Sequence, residues 1–221
     1  MRDRLMMARW AVAVTMLAAC GGGGTDNNSA GPPALFTRNA GDGQSALVTA
    51  GFTQNLQVKV TDQDLNGVSQ ITVNWEVQSG SLVLGGASSV TNAQGVASIG
   101  VTAGATDGPA LIRATTTSVA GTTLDFNLTV KPVRVVNAQD FFFQSVRNNS
   151  QGPAVDTIPV GGALRWVQVG GVHNVVPVGS PSFTGAANLT SPYTMIFNIA
   201  GTYQYDCGIH FTFMPGQVVV Q

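Results

Sequence analysis

Four side chains near the C-terminus have the types and spacing to do chemistry. Cys207, His210 and Met214 follow one another as C-x2-H-x3-M, and His173 lies upstream, directly before Asn174. A thiolate, two imidazoles and a weak axial thioether form the ligand set of a mononuclear trigonal copper site. The soft sulfur donors hold Cu(I), and imidazole suits both oxidation states. Taken singly, each residue has a plainer explanation. His173 fits a satisfied, partly buried histidine, Met214 fits a core filler, and Cys207 fits a small buried hydrophobe. Taken jointly they are harder to dismiss, because the chain holds two His and two Cys in 221 residues. Cys207 and His210 could also pair as nucleophile and base, but the sequence places no Asn or Asp to orient them. With both histidines committed, no imidazole is left for a second copper centre. Single-electron transfer is therefore expected, rather than oxidase or reductase catalysis on a small-molecule substrate.

The elements that must position these residues are strands. From Pro132 onward the strand candidates are 133–136, 141–146, 154–160, 163–169, 174–178, 193–199, 202–207 and 216–220, which places Cys207, His210 and Met214 on one short loop between the last two. About eight strands in this length make a compact Greek-key sandwich or barrel. The run Phe141-Phe142-Phe143, if extended, puts neighbours on opposite faces, available to a partner or to the preceding domain. Ile209, Phe211, Phe213 and Pro215 surround His210 in sequence as an apolar set. The half before Pro132 also alternates apolar and polar residues, as in 56–60, 71–77 and 124–130, with turns at Asp64-Leu65-Asn66-Gly67 and Asn92-Ala93-Gln94-Gly95. No segment has a helical period. Trp75 is the expected core aromatic of residues 34–131, which lack His and Cys and so offer little for catalysis.

Composition supports two small folded β domains. Charged residues are 10% and hydrophobic residues 44%, unlike the high charge and low apolar content of disorder. A formal net charge of −1 excludes a basic footprint for nucleic acid. At the N-terminus, Arg2, Arg4 and Arg9 precede an apolar run from Trp10 to Ala19 that is too short to span a bilayer. The run ends in Leu17-Ala18-Ala19-Cys20, followed by four glycines. These residues resemble the lipobox of bacterial lipoproteins. The resemblance implies a signal peptide over 1–19, lipid on Cys20, and anchoring in the bacterial cell envelope, with the glycine after Cys20 implying export to the outer membrane, periplasm-facing or on the cell surface. Residues 20–33 then serve as a flexible tether. Lipidation of Cys20 leaves Cys207 as the one mature thiol, so no intramolecular disulfide is possible.

Two family resemblances follow from the motifs above. Val58-Lys59-Val60-Thr61-Asp62, Gly67-Val68, Val73-Asn74-Trp75-Glu76-Val77 and Thr91-Asn92-Ala93-Gln94-Gly95-Val96-Ala97 resemble the bacterial immunoglobulin-like domains of the invasin and intimin type. Residues 133–221 resemble the cupredoxins, the plastocyanin and azurin family of type 1 blue-copper proteins. The fold these imply is all-β: an immunoglobulin-like β-sandwich over 34–131, followed by a cupredoxin Greek-key β-sandwich or barrel over 132–221. The cupredoxin resemblance implies one type 1 copper held by His173, Cys207, His210 and Met214. It also implies that Asn174 ties its strand to the Cys207 loop, that Ile209, Phe211, Phe213 and Pro215 form an apolar docking face with His210 at its centre, and that a redox protein docks there transiently. Copper delivery remains an alternative, as does an adhesive or structural lipoprotein with a stabilising copper site. The immunoglobulin-like part is expected to act as a spacer.

Overall fold

The computed structural model describes residues 30–221, apart from the side chains of 211–213. The expectations for the signal peptide over 1–19, lipidation at Cys20 and the tether up to residue 29 lie outside the described residues. Among the described residues the chain is all-β and no helix is present. Ten strands make the first half: β1 (Leu35–Ala40), β2 (Ser45–Leu47), β3 (Leu56–Thr61), β4 (Thr72–Ser79), β5 (Leu82–Leu84), β6 (Ser88–Val90), β7 (Val96–Ile99), β8 (Val101–Ala103), β9 (Gly108–Thr115) and β10 (Thr123–Lys131). Eight make the second: β11 (Val133–Ala138), β12 (Phe143–Ser145), β13 (Ala154–Ile158), β14 (Ala163–Gln168), β15 (Val176–Val178), β16 (Tyr193–Ile196), β17 (Gly201–Cys207) and β18 (Phe211–Val220).

The first half packs a three-stranded sheet, β1-β3-β7, against a five-stranded one, β2-β10-β9-β4-β6, with β5 and β8 as a separate pair. Alternation decides which residues face inward. Leu56, Val58 and Val60 of β3 are fully buried, and the polar Gln57 and Lys59 between them are not. The facing sheet contributes Trp75, Ile112, Phe126 and Leu128. Trp75 meets Phe126 at 5.8 Å between ring centroids, and its indole N–H donates to Ser89 Oγ at 2.9 Å.

The second half is a sandwich of two four-stranded sheets, β12-β11-β14-β16 and β13-β18-β17-β15, around its own core. Two of the pairings are parallel, β11 with β14 and β13 with β18. Trp166 of β14 is fully buried at the centre. It stacks on Phe183 and Tyr193 and meets the Tyr205 ring edge-on at 5.1 Å. Tyr203, Tyr205 and Cys207 alternate inward along β17, so the strand that builds the core also delivers the thiol.

Only Pro132 separates β10 from β11. Lys131 O accepts Val48 N–H from the turn after β2, and Pro132 O accepts Ala163 N–H from β14, each at 2.9 Å, so each half grips one of two adjacent carbonyls. Proline fixes its own φ. Arg134 adds two hydrogen bonds to Asp107, both at 3.1 Å, across the junction.

Several strand boundaries differ from those expected. Phe141 and Phe142 are not part of a strand: they lie in a turn before β12, so the anticipated alternation covers only Phe143, which is fully buried. Val175 leaves the expected 174–178 strand to pair with Ala186 in the next loop. The last strand starts at Phe211 rather than Gly216, so Met214 lies within β18 and not on the loop. Its register against β17 jumps between Asp206↔Pro215 and Cys207↔Phe211, so 212–214 form a bulge opposite a single step of β17. A bulge of this kind re-aims side chains while the ladder continues on either side.

Candidate metal centre

One strand end, the turn after it and a neighbouring loop build the site, with β18 alongside. Cys207 ends β17 with its sulfur fully buried. His210 closes the turn that follows, and its N–H donates to Cys207 O at 3.2 Å. His173 precedes β15 in the neighbouring loop and is fully buried. Cys207 Sγ lies 3.7 Å from His173 Nδ1 and 3.5 Å from His210 Nδ1. The three ligand atoms all fall within 4.8 Å of one another. Bonds of about 2.0–2.3 Å at roughly tetrahedral to trigonal angles put nitrogen and sulfur donors about 3.5–3.7 Å apart around a first-row ion. The observed separations therefore fit a single metal ion.

Tautomer chemistry agrees with this fit. His173 Nε2 lies 2.6 Å from Gly170 O, an acceptor, so Nε2 carries the proton and donates it. The lone pair is left on Nδ1, the atom facing the sulfur. Burial pushes the His173 pKa below its usual value, against the opposing Gly170 carbonyl, and this burial favours the neutral ring that can act as a ligand. The His173 and His210 rings are 5.1 Å apart at 46°.

Asn174 connects the two loops: its Oδ1 accepts the Gly208 N–H at 2.6 Å. Gly208 is exposed but closely approached on one side: a Cβ there would lie 3.0 Å from Val176 Cγ2 and 3.3 Å from Asn174 Nδ2. Met214 is fully buried in the same core cluster as Cys207. Of the residues expected to form a docking face, Ile209 is exposed and Pro215 half-buried, while the side chains of Phe211 and Phe213 lie outside the described set. His210 itself is half-buried. Sequence reasoning missed two contributors, the Gly170 carbonyl that orients His173 and Phe141, which meets His210 edge-on at 5.7 Å. The available signals were the Gly170-Gly171 pair just before His173 and the break in alternation at Phe141.

No protein-family model matches the chain, and none of the curated proteins compared is similar to it. Among solved structures it is similar to the D00-D0 domain of intimin, at 19% identity over 44% of this chain and 46% of that one, with a TM-score of 0.36. The chain thus spans less than half of that intimin structure. It is also similar to a mutant of amicyanin in its reduced Cu(I) form, at 26% identity over 39% of this chain and 80% of that one, TM-score 0.32. A purple cupredoxin from Nitrosopumilus maritimus is 19% identical over 39% of this chain and 98% of its own length, TM-score 0.33. The chain's likenesses among solved structures thus include both intimin domains and cupredoxins.

Proposed function

We propose that the chain holds one copper ion between His173, Cys207, His210 and Met214 and passes single electrons between redox partners at the bacterial cell envelope. The convergence of the Cys207 sulfur with two imidazole Nδ1 atoms, at separations one ion fills, supports this reading most. Bound copper supplies the one-electron redox change. The protein residues do the rest. Cys207 would bind the ion as thiolate, His173 is pre-set as an Nδ1 donor by Gly170, and Met214 would offer a weak thioether donor from β18. Asn174 keeps the Cys207 loop in register with the His173 loop, which limits rearrangement between oxidation states. Full burial of Cys207, His173 and Met214 excludes water and hinders metal exchange, which favours electron transfer over copper delivery. His210 is the ligand nearest solvent, beside Phe141 (70% exposed) and Ile209 (45% exposed). A small apolar face of this kind suits brief redox encounters.

In the same reading Cys20 carries the membrane anchor and the first domain stands the copper domain off the membrane. The location rests on the N-terminal sequence, and the partner is a second redox protein rather than nucleic acid or a small-molecule substrate. The test is the visible and EPR spectrum of the full chain after Cu(II) addition, with Cys207→Ser beside it. An intense thiolate-to-copper band with narrow hyperfine splitting, absent from the variant, is the expected result. Colourless binding indifferent to Cys207 would sink the proposal. Ready surrender of Cu(I) to a chelator would move it to delivery.

A further inference from the structure

The turn between β11 and β12 touches the holders of both imidazoles. It runs from Gln139 to Phe142 and is closed by Gln139 N–H donating to Phe142 O at 3.0 Å. On one side Asp140 packs on Gly170 and Gly171, so closely that a Cβ on Gly170 would collide with its carboxylate and one on Gly171 would lie 3.6 Å from its Cα. These glycines also carry His173. Gly170 O accepts from Nε2, and a Cβ on Gly171 would sit 2.9 Å from that nitrogen. On the other side Phe141 meets the His210 ring at 5.7 Å between centroids, with the planes at 77°. Phe141 is 70% exposed, so filling the core does not explain its position. Its described aromatic contact is His210.

We propose that this turn positions the two imidazoles, with Phe141 holding the His210 ring edge-on and keeping water from one side of it. The inference rests on the copper reading for its redox consequence but not for its geometry. His210 sits in a three-residue turn between β17 and β18, and an edge-to-face contact biases its ring toward the observed orientation by roughly two- to tenfold. Phe141 also replaces water with hydrocarbon beside a ligand. A drier surround disfavours the more highly charged oxidation state and raises the reduction potential. Phe141 is therefore a positioning residue that acts through His210.

The test compares Phe141→Ala, Phe141→Leu and Phe141→Tyr in the full chain. The two His of the sequence give two sets of ring-proton signals, so the metal-free protein reports the contact directly by NMR. Phe141→Ala and Phe141→Leu are expected to move the His210 ring protons as the ring current is lost, with His173 unmoved. Phe141→Tyr is expected to leave both in place. In the copper-loaded protein, Phe141→Ala is expected to lower the Cu(I):Cu(II) ratio at fixed poise by up to tenfold, which is about 59 mV for one electron. Phe141→Leu is expected to lower it less and Phe141→Tyr to preserve it. If Phe141→Ala fails to fold, Phe141→Leu, which keeps the bulk without the ring, carries the same NMR test. Unchanged His210 signals, or an unchanged potential in Phe141→Ala, would overturn the inference. A wild-type protein without the thiolate–copper band would instead refute the copper reading, and the metal-free NMR comparison would still decide the positioning claim.

Discussion

At Gly216 the backbone meets the core closely, and replacing it with alanine is a stringent test of the second half's packing. The residue pairs with Tyr205 across the β17–β18 ladder, and the tyrosine ring lies directly over it. An added Cβ would come within 2.5 Å of Tyr205 Oη and nearer still to Cζ and Cε2. A relaxed carbon contact is about 3.5–4.0 Å, so the ring or strand must move by at least about 1 Å. Tyr205 has no room for that movement. It is 1% exposed and packed edge-on against Phe143 at 5.3 Å and Trp166 at 5.1 Å. Overpacking a close-packed core costs roughly 2–3 kcal/mol at such a site. A domain of this size loses about 4–8 °C of Tm per kcal/mol, so Gly216→Ala should lower the second domain's transition by about 8–24 °C. Calorimetry on the metal-free full chain measures it. Tyr205→Ala costs its own roughly 3–5 kcal/mol but removes the obstruction. In the double variant the Gly216→Ala penalty should therefore vanish, giving a coupling energy of about 2–3 kcal/mol. A Gly216→Ala transition within about 2 °C of wild type, or simple additivity in the double variant, would refute the reasoning.

Other outcomes follow from individual contacts. Asn174→Ala removes the acceptor for Gly208 N–H and should cost about 1 kcal/mol in urea melts of the metal-free protein; if the site holds metal, affinity should fall by roughly 10–100-fold, read by competition with a chelator. Burial raises the Asp156 pKa, opposed by the Ser145 hydrogen bond and by Arg134 and Arg147. The folded state therefore binds this proton more tightly than the unfolded state, and the resulting stabilisation is complete below the usual value of 3.8 and lost as pH rises through the folded value. Asp156→Asn should thus flatten the decline of stability with rising pH above that value in denaturant titrations, and an unchanged slope would contradict this. Copper at a hundredfold excess over its Kd should stabilise the folded protein by about 2.7 kcal/mol, and Cys207→Ser should abolish the increment.

The parts of this architecture that local pattern dictates were legible in the sequence, and the parts set by long-range pairing were not. Period-two alternation located the cores of β3, β10, β14 and β17, because a half-buried strand must place Val58, Phe126, Trp166 and Tyr205 on one side. It overran where the partner changes. Val175 pairs with Ala186 instead of continuing β15, and the expected 193–199 strand stops at Ile196 because Phe197 exchanges hydrogen bonds with Gly161 and Gly162. The His-Cys-His grouping was legible because those residue types are scarce. The bulge over 212–214 was not, since nothing local distinguishes a loop from a strand that skips register. Nor were the parallel pairings β11–β14 and β13–β18, which bring distant segments together. Phe141 was invisible as a neighbour of His210 because they lie in loops from different sheets.

The one-residue junction also has a consequence for reach. Val48 N–H and Ala163 N–H hold the consecutive carbonyls of Lys131 and Pro132, and Asp107 holds Arg134 from the other side. Tilting the second half against the first would have to turn the chain at one residue and pull apart the Arg134–Asp107 pair. If the proposed copper site transfers electrons, tunnelling weakens steeply with distance, and a junction this short would restrict the headings at which His210 can meet a carrier.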